Sequence, residues 1–124
     1  MKYREQVLQE RFSHWLDSKK ILFTSSMVGV FLPVKYAVLR KKMGVKSGYP
    51  DIMIFEPKGK FHGLFIELKS DIGRISNEQE NVIEELNKRG YKALIMPLRM
   101  DFQIAFNWLR NRVEEYMNQQ IKTD

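Results

Sequence analysis

The sequence predicts an α/β fold in which a central mixed β-sheet is flanked by helices. Two observations carry this expectation. Segments with apolar residues at helical spacing alternate with short β-prone runs, in the order helix, β-prone segment, short helix, β-hairpin, helix, strand, helix. The chain has 124 residues, 44% of them hydrophobic, which suffices for one core but not for several. A single domain over residues 1–118 is expected, with 119–124 as a flexible C-terminal tail.

Each element has its own signal. In residues 3–19, Glu5, Leu8, Phe12, Trp15 and Leu16 share one side of a helix, which would bury the four apolar residues and leave Glu5 at its end. Residues 21–32 are β-prone but interrupted by Gly29, giving a strand or an irregular hairpin. Residues 34–43 predict a short basic helix ended by Gly44. Gly48-Tyr49-Pro50 is a turn signal, and Asp51 to Phe55 follows as a strand. Pro57 and Gly59 make a hairpin before the returning strand Gly63 to Lys69, with Leu64, Ile66 and Leu68 on one side and Phe65, Glu67 and Lys69 on the other. Ser76 and Gln79 have capping-box spacing, and the helix they start runs to Gly90. Tyr91 to Met96 reads as a buried strand bounded by Pro97. Phe102, Ala105, Phe106, Leu109, Val113, Tyr116 and Met117 mark a last helix.

Composition excludes several chemistries. The absence of cysteine rules out disulfides and thiolate metal sites, and two histidines, His14 and His62, are too few for a multi-histidine zinc site. Carboxylates remain able to hold a hard cation. No residues point to an organic cofactor. No apolar run has the length of a membrane span or the look of a signal-peptide core, so a soluble, intracellular, cytoplasmic protein without a membrane partner is expected. The net charge is +6, and from Asp17 to Asp51 the chain carries Lys19, Lys20, Lys35, Arg40, Lys41, Lys42 and Lys46 with no acid between them. Such a stretch attracts a polyanion or keeps a basic surface hydrated; attraction to a membrane surface is a third reading, but no aromatic-rich amphipathic helix coincides with the densest basic run.

The chemistry-bearing residues lie around the hairpin. Glu67 and Lys69 are two apart on a strand and face one side, and pairing with the first strand would let Asp51 approach Glu67. Two adjacent carboxylates recruit a divalent cation because it offsets their repulsion. Mg²⁺, or Mn²⁺ in its place, would polarise a phosphodiester and acidify bound water. Lys69 would orient the attacking water, help deprotonate it, or stabilise charge on the phosphate. Taken alone, so short a pattern favours a structural reading in which Glu67 and Lys69 are exposed strand residues and Asp51 merely follows a turn. Gln79 can close the capping box, and its amide can also hold a substrate phosphate or support the site. Ser47, Tyr49 and Arg74 are candidate phosphate contacts, each with a structural alternative as turn or solvated residues; His62 has no metal partner in the sequence.

The stretches Gly48-Tyr49-Pro50-Asp51, Gly63-Leu64-Phe65-Ile66-Glu67-Leu68-Lys69 and Ser76-Asn77-Glu78-Gln79 resemble the VRR-NUC family of the PD-(D/E)xK nucleases, over most of the chain from Glu5 to the strand at 91–96. The resemblance implies a restriction-endonuclease-like fold. It assigns metal coordination to Asp51 and Glu67, a backbone-carbonyl ligand to Leu68, and catalysis to Lys69, with Gln79 as a further site residue. The family's acid and glutamine on the first helix are matched by Glu5 and Gln9, and Glu5 would complete the metal shell directly or through water. An acid that favours the helix dipole is the competing explanation for Glu5. The implied activity is a metal-dependent DNA endonuclease, with branched or Holliday-junction DNA as an allowed substrate, a homodimer as the working form, and a phage or other viral source, hence host cytoplasm. Lys35, Arg40, Lys41, Lys42 and Lys46 would then guide the sugar-phosphate backbone. The alternatives are a catalytically inactive nucleic-acid-binding module and a structural or protein-interaction domain.

Overall fold

A computed structural model describes residues 5–26, 33–69, 74–97 and 101–120. The elements are α1 (Glu5–Ser18), β1 (Phe23–Ser25), α2 (Val34–Lys42), β2 (Ile52–Ile54), β3 (Leu64–Glu67), α3 (Asn77–Lys88), β4 (Lys92–Ile95) and α4 (Phe102–Met117). The sheet order is β1-β2-β3-β4, antiparallel for the first two pairings and parallel for the last. A parallel pair needs a crossover, and α3 supplies it. The sheet is therefore mixed and flanked by helices, as the order of periodic segments predicts.

One side of the sheet carries the core. Leu8, Phe12 and Leu16 of α1 and Ala105, Leu109, Val113 and Tyr116 of α4 are buried together with Ile52, Ile54, Leu64, Ile66 and Leu68. Strand alternation sends Phe65, Glu67 and Lys69 to the other side, where α3 begins. These three are buried as well. Phe65 there stacks on Tyr91, with ring centroids 5.1 Å apart, and takes the edge of Phe55.

Three details differ from the sequence reading. β4 is only partly buried, Ala93 being its one fully buried residue, because it forms the sheet edge rather than an interior strand. The Asn87 carboxamide donates to the Ala93 carbonyl and accepts from the Ala93 amide, satisfying that edge with side-chain atoms. β1 is only three residues long, and the irregular hairpin expected around Gly29 lies outside the described residues. Within the segment expected as tail, the Gln120 carbonyl still accepts from the Gly59 amide at 2.8 Å. No described helix is long and apolar enough to cross a membrane.

Candidate active site

The β2–β3 register builds the site. Ile52 pairs with Ile66, so Asp51, one step before β2, falls opposite Glu67 at the end of β3. The Leu68 amide, which follows β3, donates to Asp51 Oδ2 at 2.8 Å and fixes that carboxylate against the strand end. Glu67 and Lys69 are 3% and 5% exposed, so both ionisable side chains lie inside the protein rather than on a solvated strand face. This geometry removes the reading of them as exposed strand residues.

The N-terminal turn of α3 closes over the pair. Ser76 is the N-cap: its hydroxyl accepts from the Gln79 amide, and its own amide donates to Gln79 Oε1, forming the capping box the spacing predicts. The same Gln79 carboxamide reaches the site, with Oε1 accepting from Lys69 Nζ at 2.9 Å and Nε2 donating to Glu67 Oε2 at 2.8 Å. Lys69 Nζ also donates to the Arg74 carbonyl at 3.0 Å and lies 4.0 Å from Glu67 Oε2. Capping and site roles of Gln79 thus coexist.

Burial makes the acidic pair expensive to ionise. It is the main reason the Glu67 carboxyl is pushed up to about 8, with the Asp51 charge next; Lys69 opposes the shift, and Glu5 adds to it. Burial likewise raises Asp51 above the usual carboxylate range; Glu5 adds to the shift, while the Leu68 amide is the strongest opposing influence. Each carboxyl group disfavours ionisation of the pair as a whole, so near neutral pH the two hold a proton in common. A divalent cation would do the same electrostatic work. The donor set fits one: Glu67 Oε1 is buried with no hydrogen-bond partner among the described residues, while Oε2 is held by Gln79.

Among the described residues no three His, Cys, Asp or Glu side chains are grouped closely enough to hold a metal by themselves, and Glu5 is near enough to Asp51 and Glu67 to raise both carboxyl groups. Leu8, Phe12 and Leu16 lock α1 into the core. Half-buried Glu5, in its first turn, acts on the pair through its field.

The remaining candidates are dispersed. Lys35, Arg40, Lys41 and Lys42 lie along α2, none of whose residues is buried, and Lys46 is exposed in the loop that follows. The Lys35 ammonium sits 5.0 Å from the Tyr36 ring centre. The Ser47 hydroxyl is committed to the Glu78 carboxylate. Tyr49 is exposed and lines a cavity of about 200 Å³ with Val82 and Leu86. The Arg74 side chain is exposed, while its carbonyl accepts from Lys69 inside the site. Gln9 Nε2 donates to the Ser26 carbonyl at 3.5 Å. His62 is exposed, with its ring edge-on to Tyr91. Sequence reasoning missed the Arg74 carbonyl, for which no side-chain signal exists.

Gly48 joins the loop before Asp51 to α3. Its φ is +87°, and a Cβ there would come 2.9 Å from the Glu78 carbonyl carbon and oxygen. Gly48→Ala is therefore expected to destabilise the fold by about 1–3 kcal/mol, read by urea denaturation, and to push the α3 start away from Lys69.

The model of the VRR-NUC domain matches residues 1–97. The chain belongs to the VRR-NUC family. The matched span runs from α1 through β4 and so contains Glu5, Asp51, Glu67, Lys69 and Gln79; α4 lies beyond it and completes the core. A solved structure described as a VRR_NUC domain protein is similar at a TM-score of 0.75 and 27% identity, with 96% of this chain and 92% of that one covered. No curated protein matches the chain. VRR-NUC domains are of nuclease type, and the buried acid–lysine cluster of this one lies within the matched region.

Proposed function

We propose that this VRR-NUC domain is a divalent-metal-dependent DNA endonuclease that hydrolyses phosphodiester bonds at Asp51, Glu67 and Lys69. The observation that carries the proposal is the buried Glu67 Oε1, without a hydrogen-bond partner among the described residues, on a side chain that lies opposite Asp51 and beside the Lys69 ammonium. A protein that merely needed stability would gain by replacing such a pair with apolar residues.

Asp51, Glu67 and the Leu68 carbonyl would hold Mg²⁺ or Mn²⁺. When bound, the ion supplies phosphodiester polarisation and a more acidic water. Lys69 offers positive charge to the phosphate as negative charge develops, in a site dry enough for that charge to count. Gln79 and the Arg74 carbonyl keep its ammonium from collapsing onto Glu67. Glu5 adds negative field that favours cation over proton. The cations of α2 and Lys46 attract the DNA backbone without reading sequence. A homodimer acting on branched or four-way DNA is the finer form of the proposal. It is supported by the apolar side chains left exposed along α2, such as Val34 at 80% and Leu39 at 50%.

The test compares linear, nicked, forked and four-way DNA in Mg²⁺, Mn²⁺ and EDTA. Cleavage in both metals and none in EDTA is expected, with preference for the branched forms. Metal-insensitive binding without cutting on all four would establish the inactive binding module instead. Light scattering of the same preparation distinguishes dimer from monomer.

A further inference from the structure

We propose that Ser76, which no catalytic argument requires, is a positioning residue for Lys69. The inference rests on the nuclease reading above and concerns how the lysine is held. Lys69 Nζ has two acceptors in the turn that starts α3, the Arg74 carbonyl at 3.0 Å and Gln79 Oε1 at 2.9 Å. The second acceptor is itself held by Ser76, whose amide donates to Gln79 Oε1 at 2.9 Å and whose hydroxyl accepts from the Gln79 amide at 3.1 Å. Two donors, the Ser76 amide and the Lys69 ammonium, converge on Oε1. The carboxamide can therefore adopt only one orientation, because a flipped amide would present N–H groups to both. That orientation turns Nε2 toward Glu67 Oε2.

A helix N-cap and a catalytic lysine thus share one carboxamide. The cap alone would be served at least as well by glutamate at position 79, which completes the standard box. Glutamate would accept from Ser76 and Lys69 but, once ionised, could not donate to Glu67 Oε2, and it would add a further carboxylate beside Asp51 and Glu67. The amide is the side chain that satisfies the helix and the site together. Loosening the cap by removing the Ser76 hydroxyl frees the Gln79 backbone, and with it the lysine, by tenths of an ångström to an ångström. Displacements of that size lower turnover without weakening DNA binding.

The experiment uses the full chain with Ser76→Ala, Ser76→Thr and Gln79→Glu. Single-turnover cleavage of the preferred DNA in Mg²⁺ is measured at a temperature where every variant is fully folded by circular dichroism. Side-chain amide NMR of residue 79 is recorded in EDTA. Ser76→Ala should lower kcat by about 10- to 100-fold with KM within about twofold, and should shift and broaden the Gln79 side-chain resonances. Ser76→Thr, which keeps an accepting hydroxyl, should restore both. Gln79→Glu should remain folded at the assay temperature yet lose at least about 100-fold in kcat. Wild-type kcat in Ser76→Ala with unchanged Gln79 resonances would overturn the inference, as would full activity in Gln79→Glu. If the wild type cleaves nothing, the nuclease reading fails, and the NMR comparison alone still decides whether Ser76 fixes the carboxamide.

Discussion

Lys69→Ala is expected to lower metal-dependent cleavage by about 10²- to 10³-fold or more, the range for removing one preorganised donor from a dry site. The ammonium is 5% exposed and has two carbonyl acceptors, so its position is set before substrate arrives. Its removal leaves Gln79 Oε1 with the Ser76 amide and the Arg74 carbonyl without its lysine partner, which costs the fold about 1–3 kcal/mol. Circular dichroism should accordingly show a folded protein with a lower melting temperature. Lys69→Arg should rescue little, since a planar guanidinium cannot occupy a pocket shaped around a compact ammonium. Saturating single-turnover assays on refolded variants check both. A Lys69→Ala enzyme as fast as the wild type would remove the lysine from the mechanism.

Glu67→Gln is expected to abolish cleavage and, in EDTA, to stabilise the fold at alkaline pH. The sign follows from burial. The Glu67 carboxyl has an ordinary value of 4.5 and is raised to about 8 in the fold. Between those values the native state binds a proton that the unfolded chain has released, so stability declines as pH rises from about 4.5 to 8 and levels off above. A neutral glutamine avoids that loss, keeps an acceptor for Gln79 Nε2 and adds a donor for Asp51. The variant should gain roughly 2 kcal/mol over the wild type at pH 9, about 5 °C or more in melting temperature, and nothing at pH 4. Added Mg²⁺ should raise the wild-type melting temperature and leave that of the variant unchanged.

Much of this was legible in the sequence because the strongest signals are periodic. Leu8, Phe12 and Leu16 at helical spacing, and the alternation of Leu64, Ile66 and Leu68 with Phe65, Glu67 and Lys69, locate α1 and β3 and decide which residues share a face. Ser76 and Gln79 announce the start of α3 by spacing alone. Register is different, because pairing Ile52 with Ile66 depends on hydrogen bonds between strands and on the 57–61 turn, so the meeting of Asp51 and Glu67 is a property of the sheet and not of either strand's sequence. The Arg74 carbonyl was invisible because a backbone atom leaves no mark on residue type. Ser47 looked available for phosphate because nothing local says that Glu78, on a helix 31 positions away, will claim its hydroxyl. Glu5 shares a helix face with Leu8 and Phe12, but spacing gives direction and not reach, so its electrostatic effect on Asp51 and Glu67 depends on how α1 docks.

The central claim is that the buried Asp51–Glu67 pair is kept for a divalent cation that takes the place of a proton. Calorimetric titration of Mn²⁺ into the protein at pH 7, in two buffers of different ionisation enthalpy, measures binding and proton release together. Saturable binding with release of about one proton per site, lost in Glu67→Gln, is the predicted result. Mn²⁺ binding with no proton release, or binding that survives Glu67→Gln unchanged, would contradict it.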